Sequence, residues 1–350
     1  MTAITETKKQ ITHRNYSIDL IRIIAFCLVV TVHFFFHTEY YNIPLWGVEM
    51  FIATYVRNFA MSCVPLFVVI TGFLMQEKTL KKGYYFGIVK TIITFLIAET
   101  GCMIYDRIVL EKSFLSQIKT IGVAHYSWYI DMYIGLFLII PFLNLAYNGL
   151  KSQKQKFFLV LSFTAITIII PSLFNIFKCT QGWWSGAYPL AYYYTGCYLK
   201  EYGFKLKTWQ GISVALASNL LLCIVMLFVF AKHTIRICAI SGYNSVFVYI
   251  TTVALFGILL KTENNIGKSK IKKSIVTSIS RLTLGAYLIS YVVDHIVYDT
   301  LKHYTSTIRQ EYMWFPVVII TVIAGSLCLS YFINLICDVI MMGVNKLRKI

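Results

Sequence analysis

Residues 15–37 read NYSIDLIRIIAFCLVVTVHFFFH, and this stretch decides the class of the molecule. The run from Tyr16 to His37 is long and apolar enough to cross a bilayer, yet it carries Asp19, Arg22 and His33. An ionised group at the centre of a spanning helix costs at least about 2.5–3.5 kcal/mol, so ionisable side chains kept there mark function by default. Asp19 and Arg22 are one helical turn apart. The step of eleven from Arg22 to His33 brings the side chain back to within roughly 20° of the same face, about 16 Å further along. His37 continues the row. One polar stripe therefore runs along a greasy helix and faces a cavity or the bundle interior. The alternative keeps Asp19 and Arg22 as an interfacial ion pair and His33 as an interhelical hydrogen bond, since packed bundles use His as polar glue.

The rest of the composition agrees with a membrane setting. Of 350 residues, 58% are hydrophobic and only 13% charged, against about 25% charged in soluble domains. The net charge of +17 does not require nucleic acid, because the basic residues are scattered through short connections. Cytoplasmic loops of membrane proteins collect Lys and Arg. The first fourteen residues are polar and no small-residue cleavage site follows, so a signal peptide is not expected. The nine cysteines show no CxxC and no metal-ligand spacing, and most fall in apolar runs where Cys acts as a small hydrophobe. Cys179 and Cys238 lie near loops and are the one pair open to bridging, but neither a disulfide scaffold nor a metal site is indicated.

Spans need about 20 apolar residues each. Ten are expected: Ser17–Thr38, Val48–Met75, Tyr84–Ile104, Tyr126–Tyr147, Phe157–Phe174, Gly186–Leu199, Trp209–Phe230, Ala239–Leu260, Val276–Asp299 and Trp314–Met342. The sixth is short and holds Pro189. The alternating connections carry 20 Lys and Arg on one side and 8 on the other, which places both termini in the cytoplasm. The expected architecture is an all-α, multi-pass helical bundle. Residues 1–15 form a cytoplasmic tail, 16–342 the membrane domain and 343–350 a basic cytoplasmic tail. The longest connections are Tyr105–His125 and Lys261–Ile275.

Arg57 lies nine residues into the second span, at about 13 Å depth and near the level of His33, which suggests a shared cavity. A bond to Glu49 or to backbone carbonyls is the plainer account of it. Pro65 further along frees a carbonyl, and Gly72 permits close approach of a neighbour. At the outer ends, Tyr126, Trp128, Tyr129 and Asp131 open the fourth span, Trp183 and Trp184 precede the sixth, and Asp294, His295 and Asp299 close the ninth. Aromatic faces beside carboxylates suit a sugar, although Trp and Tyr also gather at any membrane interface.

These residues carry a resemblance. Ser17-Ile18-Asp19-Leu20-Ile21-Arg22 followed by Val32-His33-Phe34 is similar to the first-helix signature of the integral-membrane acyltransferase-3 family. Arg57 with Pro65-Leu66-Phe67 and Thr71-Gly72-Phe73-Leu74 resembles its second motif, and His125-Tyr126-Ser127-Trp128-Tyr129 with Pro141 its Trp-containing motif. Tyr192–Leu199 and Leu284-Gly285-Ala286-Tyr287-Leu288-Ile289 resemble later motifs. Where the family often has His after the Tyr-Leu-Ile triplet, this chain has Ser290, and the basic stretch before the third span is reduced to Lys90 without a proline.

The resemblance implies a ten-span enzyme that uses cytoplasmic acyl-CoA to acylate a hydroxyl of a cell-surface glycan or glycolipid. It implies His33 as the catalytic residue. Arg22 and Arg57 match its Arg-bearing motifs, and Arg57 is counted with the catalytic candidates, steadying the reacting end. Asp19, grouped with the catalytic candidates, is expected to pair Arg22. Coenzyme phosphates need cations at the cytoplasmic mouth, supplied by Arg22, Lys81, Lys82 and Lys90, Arg being suited by its planar fork. His33 would act as general base on the attacking hydroxyl or become acylated itself. Trp128, Tyr129, Asp131 and Asp294 are the acceptor-binding candidates. The expectation is a plasma-membrane O-acetyltransferase with acetyl-CoA, or another acyl-CoA, as co-substrate. No metal and no nucleic-acid partner are expected, and oligomeric state is open. A transporter or exporter of an anionic or sugar-linked substrate shares buried Arg and His, but no inverted repeat is visible. A non-catalytic sensor subunit is a third reading.

Overall fold

The computed structural model describes residues 14–119, 121, 125–174, 182–230, 233–235 and 238–347. Among them the regular structure is helical, apart from one isolated antiparallel bridge between Pro44 and Thr234. The long helices are α1 (Tyr16–His37), α2 (Val48–Ala60), α3 (Cys63–Met75), α4 (Val89–Ile108), α6 (Trp128–Gly149), α7 (Gln153–Thr164), α8 (Tyr188–Tyr202), α9 (Thr208–Val229), α10 (Val246–Leu260), α12 (Lys270–Tyr304) and α14 (Phe315–Leu347). Short helices α5 (Phe114–Lys119), α11 (Glu263–Gly267) and α13 (Ile308–Met313) lie in the connections. Nine stretches among the described residues are long and apolar enough to cross a membrane. The expected sixth span is α8, whose 15 residues fall short of that length.

The expected spans and connections differ from the observed helices in detail, each for a local reason. The second span is split after Ala60, because Pro65 has no N–H to return to the carbonyl of Met61. The fifth span continues from α7 into a π-helical run, Ala165–Phe174, which contains Pro171. The connection expected at Lys261–Ile275 is largely helical: α11 fills its middle, and α12 begins at Lys270 with Ser269 capping the amide of Lys272. The connection Tyr105–His125 contains α5. The helix α14 runs past residue 342 into the expected tail. In α6, Pro141 deprives the carbonyl of Phe137 of its helical donor, and the Tyr84 hydroxyl donates to that oxygen at 2.8 Å. Cys238 is exposed and free, while Cys179 lies outside the described residues.

Helix α8 is buried on almost every side. It crosses α3 with the two backbones touching: a Cβ on Gly72 would stand 2.0 Å from the Tyr193 carbonyl oxygen, and one on Gly196 would stand 2.2 Å from that of Val69. Small residues at such crossings let helices associate where lipid offers no hydrophobic gradient.

Candidate active site

Helices α1 and α12 run parallel and in register. Near their N-termini, the Ser280 hydroxyl donates to Asp19 at 2.8 Å. Fourteen residues on, along both helices, His33 Nδ1 meets Asp294 Oδ2 at 3.0 Å. Fourteen residues of helix rise about 21 Å, so the two contacts tie opposite ends of α1 to the middle of the longer α12. Asp294 is fully buried and His33 nearly so. The Tyr126 hydroxyl donates to the same Asp294 oxygen at 2.8 Å, and His37 Nε2 bonds that hydroxyl at 2.7 Å. The rings of His33 and Tyr126 lie 3.9 Å apart, centre to centre. Because a carboxylate only accepts, the hydrogen at His33 sits on Nδ1, and Nε2 is left for a substrate.

Three cavities lie in a row along α1. The chamber at its C-terminal end holds about 480 Å³ and is lined by His33, His37, Tyr126, Trp128, Tyr243 and His295 among others. A middle chamber of about 260 Å³ is lined by Arg22, Phe67, Ile70, Tyr129 and Tyr133. The two share Val29, Val64 and Tyr287, which form a collar between them. A third, of about 650 Å³, opens at the basic end and shares Arg22, Thr91 and Leu284 with the middle one. Its wall carries Arg22, Lys90 and Arg281, with Asp338 paired to Lys90 at 2.8 Å. Arg22 is paired to Asp19 at 3.0 Å, and Arg14 reaches the same carboxylate at 2.6 Å.

The expected site residues divide between these places. His33 and Trp128 face the outer chamber, and Trp128 stacks on Tyr243 at 5.7 Å. Tyr129 lines the middle chamber instead. Arg22 and Lys90 face the basic chamber, whereas Lys81 and Lys82 are exposed in the α3–α4 connection and line none of the three. Asp131 is exposed and lines none of them. Asp294, expected among acceptor contacts, is instead the partner of His33. Asp19 sits at the basic end, away from the imidazole. Arg57 does not share the cavity of His33: it is fully buried, with bonds to Tyr41 at 3.1 Å, Asn58 at 3.1 Å and the Ser241 carbonyl at 2.6 Å. Depth along a span says nothing about which way a side chain points. Glu49 pairs with Arg309 at 3.4 Å, not with Arg57. Arg281, Tyr126 and His37 went unassigned because their roles depend on neighbours distant in sequence.

A second polar cluster adjoins the outer chamber. His125 bonds Glu99 through Nδ1 at 2.8 Å and Asp106 through Nε2 at 3.2 Å. Lys112 reaches Asp106 at 2.7 Å, and the Tyr291 hydroxyl donates to its other oxygen at 3.0 Å. Burial opposes a charge on His125, but the two carboxylates outweigh it, and its pKa is raised above the usual 6.5. No cluster of metal-binding residues occurs among the described residues.

The acyltransferase-domain model of the acyltransferase-3 family matches residues 15–335, from the cap of α1 into α14. No curated protein and no solved structure matches. The family match spans every helix that lines the three chambers, and an enzyme that moves acyl groups displaces the transporter reading. The chain belongs to the acyltransferase-3 family and is a multi-pass membrane acyltransferase.

Proposed function

We propose that the chain moves an acyl group, acetyl by preference, from cytoplasmic acyl-CoA to a hydroxyl of a glycan or glycolipid at the outer face of the plasma membrane. The observation that carries this reading is the His33–Asp294 pair, set in a chamber that is followed along α1 by a middle chamber and a basic one, neighbours sharing lining residues. The coenzyme's nucleotide would lie among Arg22, Lys90 and Arg281, a space within the usual range for a small-molecule site. Its pantetheine arm would thread the middle chamber and present the thioester at the collar.

The acceptor hydroxyl attacks the thioester carbonyl carbon from the outer chamber and gives its proton to His33 Nε2. Asp294 holds the imidazole in the Nδ1–H tautomer and stabilises the imidazolium, with Tyr126 donating to the same carboxylate oxygen. Collapse of the tetrahedral adduct breaks the carbon–sulfur bond. The proton on Nε2 then passes to the departing thiolate, leaving an ester and free coenzyme A. A general base of this kind contributes about 10²–10⁴-fold. The Trp128–Tyr243 stack offers an aromatic face for a sugar ring.

The test is transfer of radiolabelled acetyl from acetyl-CoA into glycan and lipid fractions of membranes holding the protein, beside a His33→Ala control. Label that requires His33 supports the reading. Equal labelling by both proteins overturns the role of His33, and coenzyme A that fails to bind overturns the donor.

A further inference from the structure

His125 is a non-glycine residue in left-handed backbone, with φ of 58°. Such a conformation is uncommon outside glycine and persists only where the surroundings hold it. Here the holding groups are visible. Both ring nitrogens face carboxylates, Glu99 and Asp106, which lie about two turns apart on one face of α4. Two acceptors demand two N–H donors, and an imidazole has two only when it carries a positive charge. With Lys112 also on Asp106, the cluster balances two negative groups against two positive ones. The Tyr291 ring packs edge-on against the imidazole at 4.4 Å.

The next residue in the chain is Tyr126. Its hydroxyl lies on Asp294 and on His37, its ring against His33, and its carbonyl oxygen accepts the hydroxyl of the collar residue Tyr287. The peptide that follows the strained His125 therefore delivers one side chain to the reacting pair and one carbonyl to the collar. Tyr291, bonded to Asp106, forms a further part of the chamber wall and contacts the His295 ring at 4.1 Å.

We propose that His125, clamped as an imidazolium between Glu99 and Asp106, is a positioning residue that sets Tyr126 on the His33–Asp294 pair. The inference rests on the reading of His33 as the transfer base. Loss of the proton leaves one carboxylate facing a lone pair. The clamp opens, the left-handed turn loses its support, and Tyr126 leaves Asp294. The sign follows from the raised pKa. The clamp is whole below the ordinary histidine value and is lost as pH rises through the raised one.

The experiment is histidine-selective ¹⁵N NMR on the full chain in nanodiscs, titrated from acid to alkaline pH, with resonances assigned by single His→Gln variants. The expected result is a doubly protonated His125 at neutral pH, whose deprotonation moves the His33 and His37 signals in the same step. In Glu99→Gln that step shifts to lower pH. A His125 that is neutral at pH 7, or that titrates while His33 and His37 stay still, overturns the proposal. This readout needs no acyl transfer, so it stands apart from failure of the assigned activity. Where transfer is measured, Glu99→Gln lowers kcat about 10-fold at alkaline pH with KM for the donor unchanged. A wild-type pH profile in that variant also overturns it.

Discussion

Asp294 meets His33 across 261 residues of sequence, and Ser280 meets Asp19 across the same 261. The equal separations mean that α1 and α12 keep one register over the length between the contacts. The His33–Asp294 pair is held by two helices that are themselves bolted together at the basic end. That arrangement is why a carboxylate from the ninth expected span can hold an imidazole of the first to a single tautomer.

Removing either member should therefore cost chemistry and not assembly. His33→Ala is expected to lower transfer by about 10²–10⁴-fold. Asp294→Asn is expected to fall in the same range, because the amide no longer enforces the Nδ1–H tautomer. Coenzyme A binding and the circular-dichroism spectrum should match the wild type in both. Transfer at wild-type rate in Asp294→Asn would remove the carboxylate from the mechanism.

The collar predicts acyl-size selectivity. Val64→Ala removes two methyl groups from a residue shared by the middle and outer chambers. The ratio of butyryl to acetyl transfer should rise about 10-fold, the scale set by one or two methylenes in an apolar pocket. An unchanged ratio in competition assays would mean that the acyl group does not pass this point.

Arg281 lines the basic chamber, while Lys90 and Arg22 there are each paired with a carboxylate. Arg281→Ala is expected to raise KM for acetyl-CoA about 10-fold with kcat unchanged, the pattern for an interaction equal in ground and transition states. The effect should shrink at high salt. A fall in kcat with KM intact would place Arg281 elsewhere in the mechanism.

The α3–α8 crossing predicts a stability effect away from the chemistry. Gly72→Ala puts a methyl group 2.0 Å from the Tyr193 carbonyl oxygen, and backbone cannot swing aside as a side chain can. Overpacking of this kind costs about 1–3 kcal/mol, read as a lower melting temperature in detergent. Gly135→Ala, where a Cβ meets nothing within 4 Å, is the matched control.

What could be read from sequence was what lies within one helix. The face shared by Arg22 and His33 follows from helical periodicity alone, and both residues line the row of chambers. The helical class followed from apolar run lengths. Partners across the bundle were not legible. Asp294 stood out as a carboxylate at a span end, yet nothing local pointed it at His33. Arg57 was assigned to the same cavity on depth, and it turns instead to Ser241. His125 stands out in sequence only as part of a motif, and Tyr126 as part of that motif and of the aromatic group at a span end, because a left-handed turn clamped by α4 leaves no periodic trace. The split after Ala60 and the π-helical run with Pro171 are irregularities inside spans that hydropathy draws as continuous.

The collar of Val29, Val64 and Tyr287 has one more consequence. Two valines and a tyrosine give a hydrated ion almost nothing to hold, so the string of chambers is no open pore. A slender thioester arm can fill such a gap, and its own methylenes then complete the seal. On the transfer proposed above, a membrane that must keep its voltage can in this way let an acyl fragment change sides while the carrier and the salt remain where they were.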